Sequence, residues 1–163
     1  GVQTCALPIF YAAFGAGGVI YLTSLIFNNI GLSATEIGLG FTISAIIGTL
    51  TRLFTGNYLN KKGEIQFPIV TSSILSIAAS LCLIFSRDTF LYIIGQSFVG
   101  AAAGIYWPAA EFGVPYFCHP IETRKAYALV RSSEALGIFL GVFLGGYMTN
   151  FLYSKSKIGR AHV

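Results

Sequence analysis

Besides Arg52 near the end of one span, three ionisable residues lie inside otherwise uncharged stretches of this chain: Glu111, Arg131 and Glu134. If those stretches cross a bilayer, each charge at a helix centre costs about 2.5 to 3.5 kcal/mol, so each needs a partner or a task. Arg131 and Glu134 are three residues apart and share one helix face. Counted outward from the joint near Pro120 and Ile121, Glu111 falls at a similar depth to Arg131 on an antiparallel helix. An ion-pair cluster of Glu111, Arg131 and Glu134 is the leading expectation. The alternative is that Glu111 takes up and releases a proton. Gln96, Tyr106 and Trp107 are the polar and amphipathic side chains that could line a cavity nearby.

Catalytic arrangements are missing from the same inventory. His119 sits in a joint with no nucleophile or metal ligand beside it, and Cys82 and Cys118 fall in separate apolar stretches without metal-ligand spacing. No G-x-x-x-x-G-K-[ST] loop is present to cradle the phosphates of ATP. The expectation is a protein with no cofactor, no metal and no enzymatic activity.

The elements that carry these residues follow from composition. The chain is 55% hydrophobic and only 10% charged, with a mean hydropathy of +0.73. Globular proteins average about 25% charged residues, so the deficit points to lipid. Charges cluster between five uncharged spans, approximately 10–27, 37–55, 65–85, 89–117 and 126–153, near the roughly 20 residues a membrane helix needs. Stretches such as Ile74–Phe85 show no period of two, so helices rather than barrel strands satisfy the backbone. Ser33-Ala34-Thr35-Glu36 fits a capping box opening the second helix, and Ser86-Arg87-Asp88 is a tight turn into the fourth. Short loops make successive helices antiparallel.

Residues 1–9 and 158–163 resemble translated sequencing adapters, which leaves 10–157 as the transmembrane region. Setting them aside removes Cys5, His162 and Arg160, and the net charge falls from +4 to +3. That excess is too small to suggest nucleic acid as a partner. Lys61, Lys62, Arg124 and Lys125 gather on one side, with Arg52 and Arg131 close by, and the positive-inside rule makes that side cytoplasmic.

Against this background several motifs resemble those of the major facilitator superfamily. The joint Gly56-Asn57-Tyr58-Leu59-Asn60-Lys61-Lys62-Gly63 is similar to its loop signature G-x-x-x-D-[RK]-x-G. Gly56, Lys61 and Gly63 match in register, whereas Asn60 replaces the acid and Glu64 stands where a base is frequent. Gly137, Gly141, Gly145 and Gly146 align with the fifth-helix pattern G-x-x-x-G-P-x-x-G-G, with Val142 in place of proline. Gly100 and Gly104 repeat the same spacing on the fourth helix, where Gln96 occupies a position that is commonly Arg. Pro120 to Ala126 resembles the P-x-E-x-R-[x]-A joint, and Gly31 to Gly38 the first outer loop.

The resemblance implies an all-α membrane protein, with five transmembrane helices belonging to an incomplete six-helix amino-terminal bundle. It also implies a secondary transporter working by alternating access, with efflux of small molecules as one direction. The partners would be the bilayer, a small solute and a coupling ion, and the setting the cytoplasmic (inner or plasma) membrane of a microbe. The fragment is expected to be inactive alone. The rival class is a non-transporting membrane protein, such as a receptor, an assembly factor or a membrane-enzyme subunit. The spaced glycines have a simpler reading too, as smooth faces that let helices approach closely.

Overall fold

The computed structural model describes residues 2–117 and 122–160, with side chains described over 6–115 and 122–149. Five helices follow in order: α1 (Val2–Ile30), α2 (Ala34–Lys62), α3 (Gln66–Phe85), α4 (Thr89–Phe117) and α5 (Thr123–Arg160). Each contains a stretch long and apolar enough to cross a membrane. The described residues include no strand. Cys118, His119, Pro120 and Ile121 lie outside the described residues, as does most of the joint they form.

Most helices outrun the spans counted from apolar residues. For example, α2 occupies Ala34–Lys62 against 37–55 by count, and α1 is continuous through the residues before Phe10. The reason is that helices end where capping chemistry ends them, not at the first charge. The α1 terminus is a Schellman motif. Gly31 adopts φ 108°, its N–H donates to Asn28 O at 3.2 Å, and the Leu32 N–H donates to Phe27 O at 3.0 Å. Ser33 then caps α2: the Glu36 N–H donates to Ser33 Oγ, and the Ser33 N–H donates to Glu36 Oε2 at 2.8 Å, completing the capping box. At the far end Gly63 takes φ 68° and donates its N–H to Leu59 O at 2.8 Å. Asp88 opens α4 by accepting from the Leu91 N–H at 2.9 Å.

The chain divides into two compact units, residues 1–26 with 115–163 and residues 27–114. In the first, α1 and α5 run parallel, since Gly137 faces Phe10 and Ala13 while Gly141 faces Phe14 and Gly18. Ala13, Ala126 and Val130 are fully packed there. In the second, Phe27, Leu32, Ile37 and Tyr92 form an apolar cluster joined by Phe41, Leu83 and Ile93.

The remaining apolar surface is extensive. Phe54, Phe90 and Leu53 are 74%, 73% and 68% exposed, which lipid satisfies and water would not. Ser and Thr side chains on these surfaces are already satisfied. Thr71, Ser73, Ser76 and Ser80 on α3 each donate to the carbonyl four residues earlier, at 2.8 to 2.9 Å.

Candidate functional site

The signature joint is built on the last turn of α2. Lys61 and Lys62 sit in that turn, where positive charge complements the helix dipole. Gly63 is required for its left-handed φ. Gly56 is different, since a Cβ there would meet nothing within 4 Å. Asn60 is exposed at the end of the helix. The Lys62 ammonium lies 5.5 Å from the Tyr58 ring centroid, and the Tyr58 hydroxyl donates to Glu64 Oε2 at 3.1 Å. Tyr58 also contacts the Phe67 ring, with centroids 5.6 Å apart.

The spaced glycines form two helix seams. A Cβ placed on Gly137 would stand 2.5 Å from the Phe10 carbonyl oxygen, and one on Gly141 would stand 2.9 Å from the Gly18 nitrogen after overlapping Phe14 O. Gly145 and Gly146 are looser. Their nearest neighbours, Tyr21, Leu22 and Gly18, would be 3.5 to 3.9 Å from a Cβ, which is ordinary contact. On α4, Gly100 lies against the Ser44 backbone and Gly104 against Gly48 O and Thr51 Oγ1, each too close for a side chain.

Sequence reasoning found one side of each seam and missed the other. Gly40, Ser44 and Gly48 line α2 at four-residue spacing, opposite Tyr92, Gly100 and Gly104. The Tyr92 ring covers Gly40 so closely that a Cβ there would come 2.8 Å from its Cζ. Its hydroxyl donates to Ile37 O at 3.1 Å. The Thr89 hydroxyl donates to Glu36 Oε1 at 2.5 Å, fastening the start of α4 to that of α2. On α1, Gly17 is seated against Ile138 O, where a Cβ would stand at 2.5 Å. Repeated small residues four apart were the available signal, at Ala13 and Gly17 and at Gly40, Ser44 and Gly48.

Of the residues expected to form a charge cluster, Arg131 and Glu134 belong to the first unit and Glu111 to the second. Arg131 Nη1 donates to Glu134 Oε2 at 2.6 Å within α5, with Glu134 the more buried member at 20% side-chain exposure against 57%. Glu111 is half-buried on α4 in the other unit. Among the suggested cavity residues, Tyr106 and Trp107 are half-buried and meet edge to face, with centroids 5.2 Å apart. Gln96 is 2% exposed, so in this conformation it is packed into the interior and does not line an open cavity. No metal-ligating group of three or more His, Cys, Asp or Glu occurs among the described residues.

Five membrane-length helices, glycine seams and a basic glycine-capped joint are features that a family comparison can decide. The Major Facilitator Superfamily model matches residues 5–154. The chain belongs to the major facilitator superfamily. It is therefore an integral membrane protein of a transporter family. The match includes residues 5–9, which the sequence analysis sets apart. No curated protein and no solved structure matches the chain.

Proposed function

We propose that the protein acts in secondary active transport, carrying a small-molecule solute by alternating access and using a gradient of a second solute or ion. The observation that carries this reading is the family match over residues 5–154. The seams supply a physical basis for it. Helices packed backbone to backbone move together, because separating them loses many contacts at once. Tyr106 and Trp107 are the residues proposed to meet the solute, and Gly56 to Gly63 form the cytoplasmic joint. Arg131 and Glu134 serve as an ion pair that keeps both charges satisfied near the membrane edge. Efflux is one direction this reading allows, and the cytoplasmic membrane of a microbe is the proposed location.

The test is reconstitution of the intact protein in liposomes bathed in a mixture of small metabolites, with and without an imposed pH or sodium gradient. Mass spectrometry of the vesicle contents should find at least one compound whose level follows the gradient and equalises when an ionophore is added. Contents identical to those of protein-free vesicles under every gradient would refute secondary transport.

A further inference from the structure

Arg52 lies inside α2, ten residues before the last residue of the helix and about 15 Å from that end along its axis. Among the described residues it makes no hydrogen bond and no ion pair, whereas Arg131 on α5 is held by Glu134. A charge at membrane depth is costly unless it finds a partner. Lipid phosphates at the Lys61–Lys62 end lie in the unfavourable direction, because helical side chains lean toward the N-terminus of their own helix, here deeper into the membrane. In that deeper direction α2 carries a groove of about 320 Å³, lined by Ala45, Ile46, Thr49 and Leu50. Ala45 and Thr49 precede Arg52 by seven and three residues, the spacing of one helix face, and all three are exposed. The Thr49 hydroxyl donates to Ala45 O at 2.8 Å, so the groove presents apolar surface without a free donor. The other side of α2 is already occupied, with Gly48 against Gly100.

We propose that this face of α2 binds a small organic monocarboxylate, its carboxylate on the Arg52 guanidinium and its apolar body in the groove. The inference names a solute class and rests on the transport reading above. Three features select that class. The planar guanidinium matches a carboxylate with two parallel charge-assisted hydrogen bonds. The groove has the size of the smaller ligand sites, which begin at about 300 Å³, and its lining suits a compact hydrocarbon or ring. A single cation balances a single negative charge, so a dicarboxylate or a phosphate monoester would bring a second charge to apolar walls with nothing to pair it. A neutral solute would leave Arg52 without a partner.

Equilibrium dialysis of the intact protein in a nonionic detergent tests the proposal, with radiolabelled benzoate, hexanoate, their primary amides and the dianion terephthalate as probes. At least one monocarboxylate should bind about tenfold more tightly than its amide and than terephthalate, as expected for charge-assisted hydrogen bonds that the amide cannot make. Arg52→Gln should remove that advantage, and Arg52→Lys should recover part of it. Ala45→Trp, a change at an exposed position, should weaken acid and amide alike by filling the groove. Wild-type protein that prefers neither acid to its amide overturns the proposal. So does a preference that survives Arg52→Gln, whether the arginine then proves to hold a lipid phosphate or an acidic side chain of the intact protein. If Arg52→Gln does not fold, carboxylate binding unchanged by Ala45→Trp overturns it independently. Binding is read without a gradient, so the two readings fail separately. Gradient-driven accumulation of a solute without carboxylate binding removes only this inference, and carboxylate binding without accumulation of any solute supports the site while removing the transport reading.

Discussion

At the scale of single residues, the α5 glycines make separable demands. Gly141→Ala pushes a methyl group into the Phe14 backbone, and overpacking of this kind costs about 1 to 3 kcal/mol. Gly145→Ala meets only ordinary contacts and gains helix propensity, so it should be neutral or stabilising by up to about 1 kcal/mol. Thermal unfolding in detergent should place Gly141→Ala below the wild type and Gly145→Ala at or above it, and equal melting points for the two variants would contradict the seam. The Arg131–Glu134 pair is asymmetric in a similar way. Glu134 is the member withdrawn from its surroundings, so Arg131→Gln strands it and should cost more than Glu134→Gln, by about 1 kcal/mol for a pair still partly exposed. The same unfolding assay reads that difference, and the reverse order would refute it.

At the scale of elements, the pairing of α2 with α4 rests on contacts spread along both helices. Gly48→Leu should separate them and lower folded yield sharply, because Gly100 and Gly104 present backbone on the facing side. Tyr92→Phe keeps the ring over Gly40 and removes the hydroxyl's bonds with Ile37 O and the Gln96 side chain, a loss of about 1 kcal/mol for each. Size-exclusion profiles of the two variants check this, and a monodisperse Gly48→Leu protein would contradict the seam. The number of helices and the cap at Ser33 were legible in the sequence, since apolar length and capping residues act locally. Gly137, Gly141, Gly100 and Gly104 were legible as surfaces of close approach. Their partners were not. A small residue every fourth position says that some backbone can come near, and only the folded arrangement decides that Ser44 meets Gly100 and Phe14 meets Gly141. Gln96 is a related case: its polarity was legible, but the packing that leaves it buried was not.

At the scale of the whole molecule, the distribution of Lys and Arg sets which way the bundle sits in the membrane. Reporter fusions at Lys62 should register cytoplasm and those at Arg87 the opposite side, and an external signal from Lys62 would reverse the topology. The corner between α1 and α2 has a consequence for how such a bundle is made. Its Schellman bonds, capping box and Phe27–Leu32–Ile37 contacts all fall within residues 27–37. The cap bonds need no residue made later, whereas Tyr92 completes the apolar cluster. During synthesis these local cap bonds can form as soon as residues 27–37 leave the ribosome, so the corner can be set before α3 is made. Glycines 137 and 141 emerge later, and the Phe10 to Gly18 face of α1 stays open until they arrive.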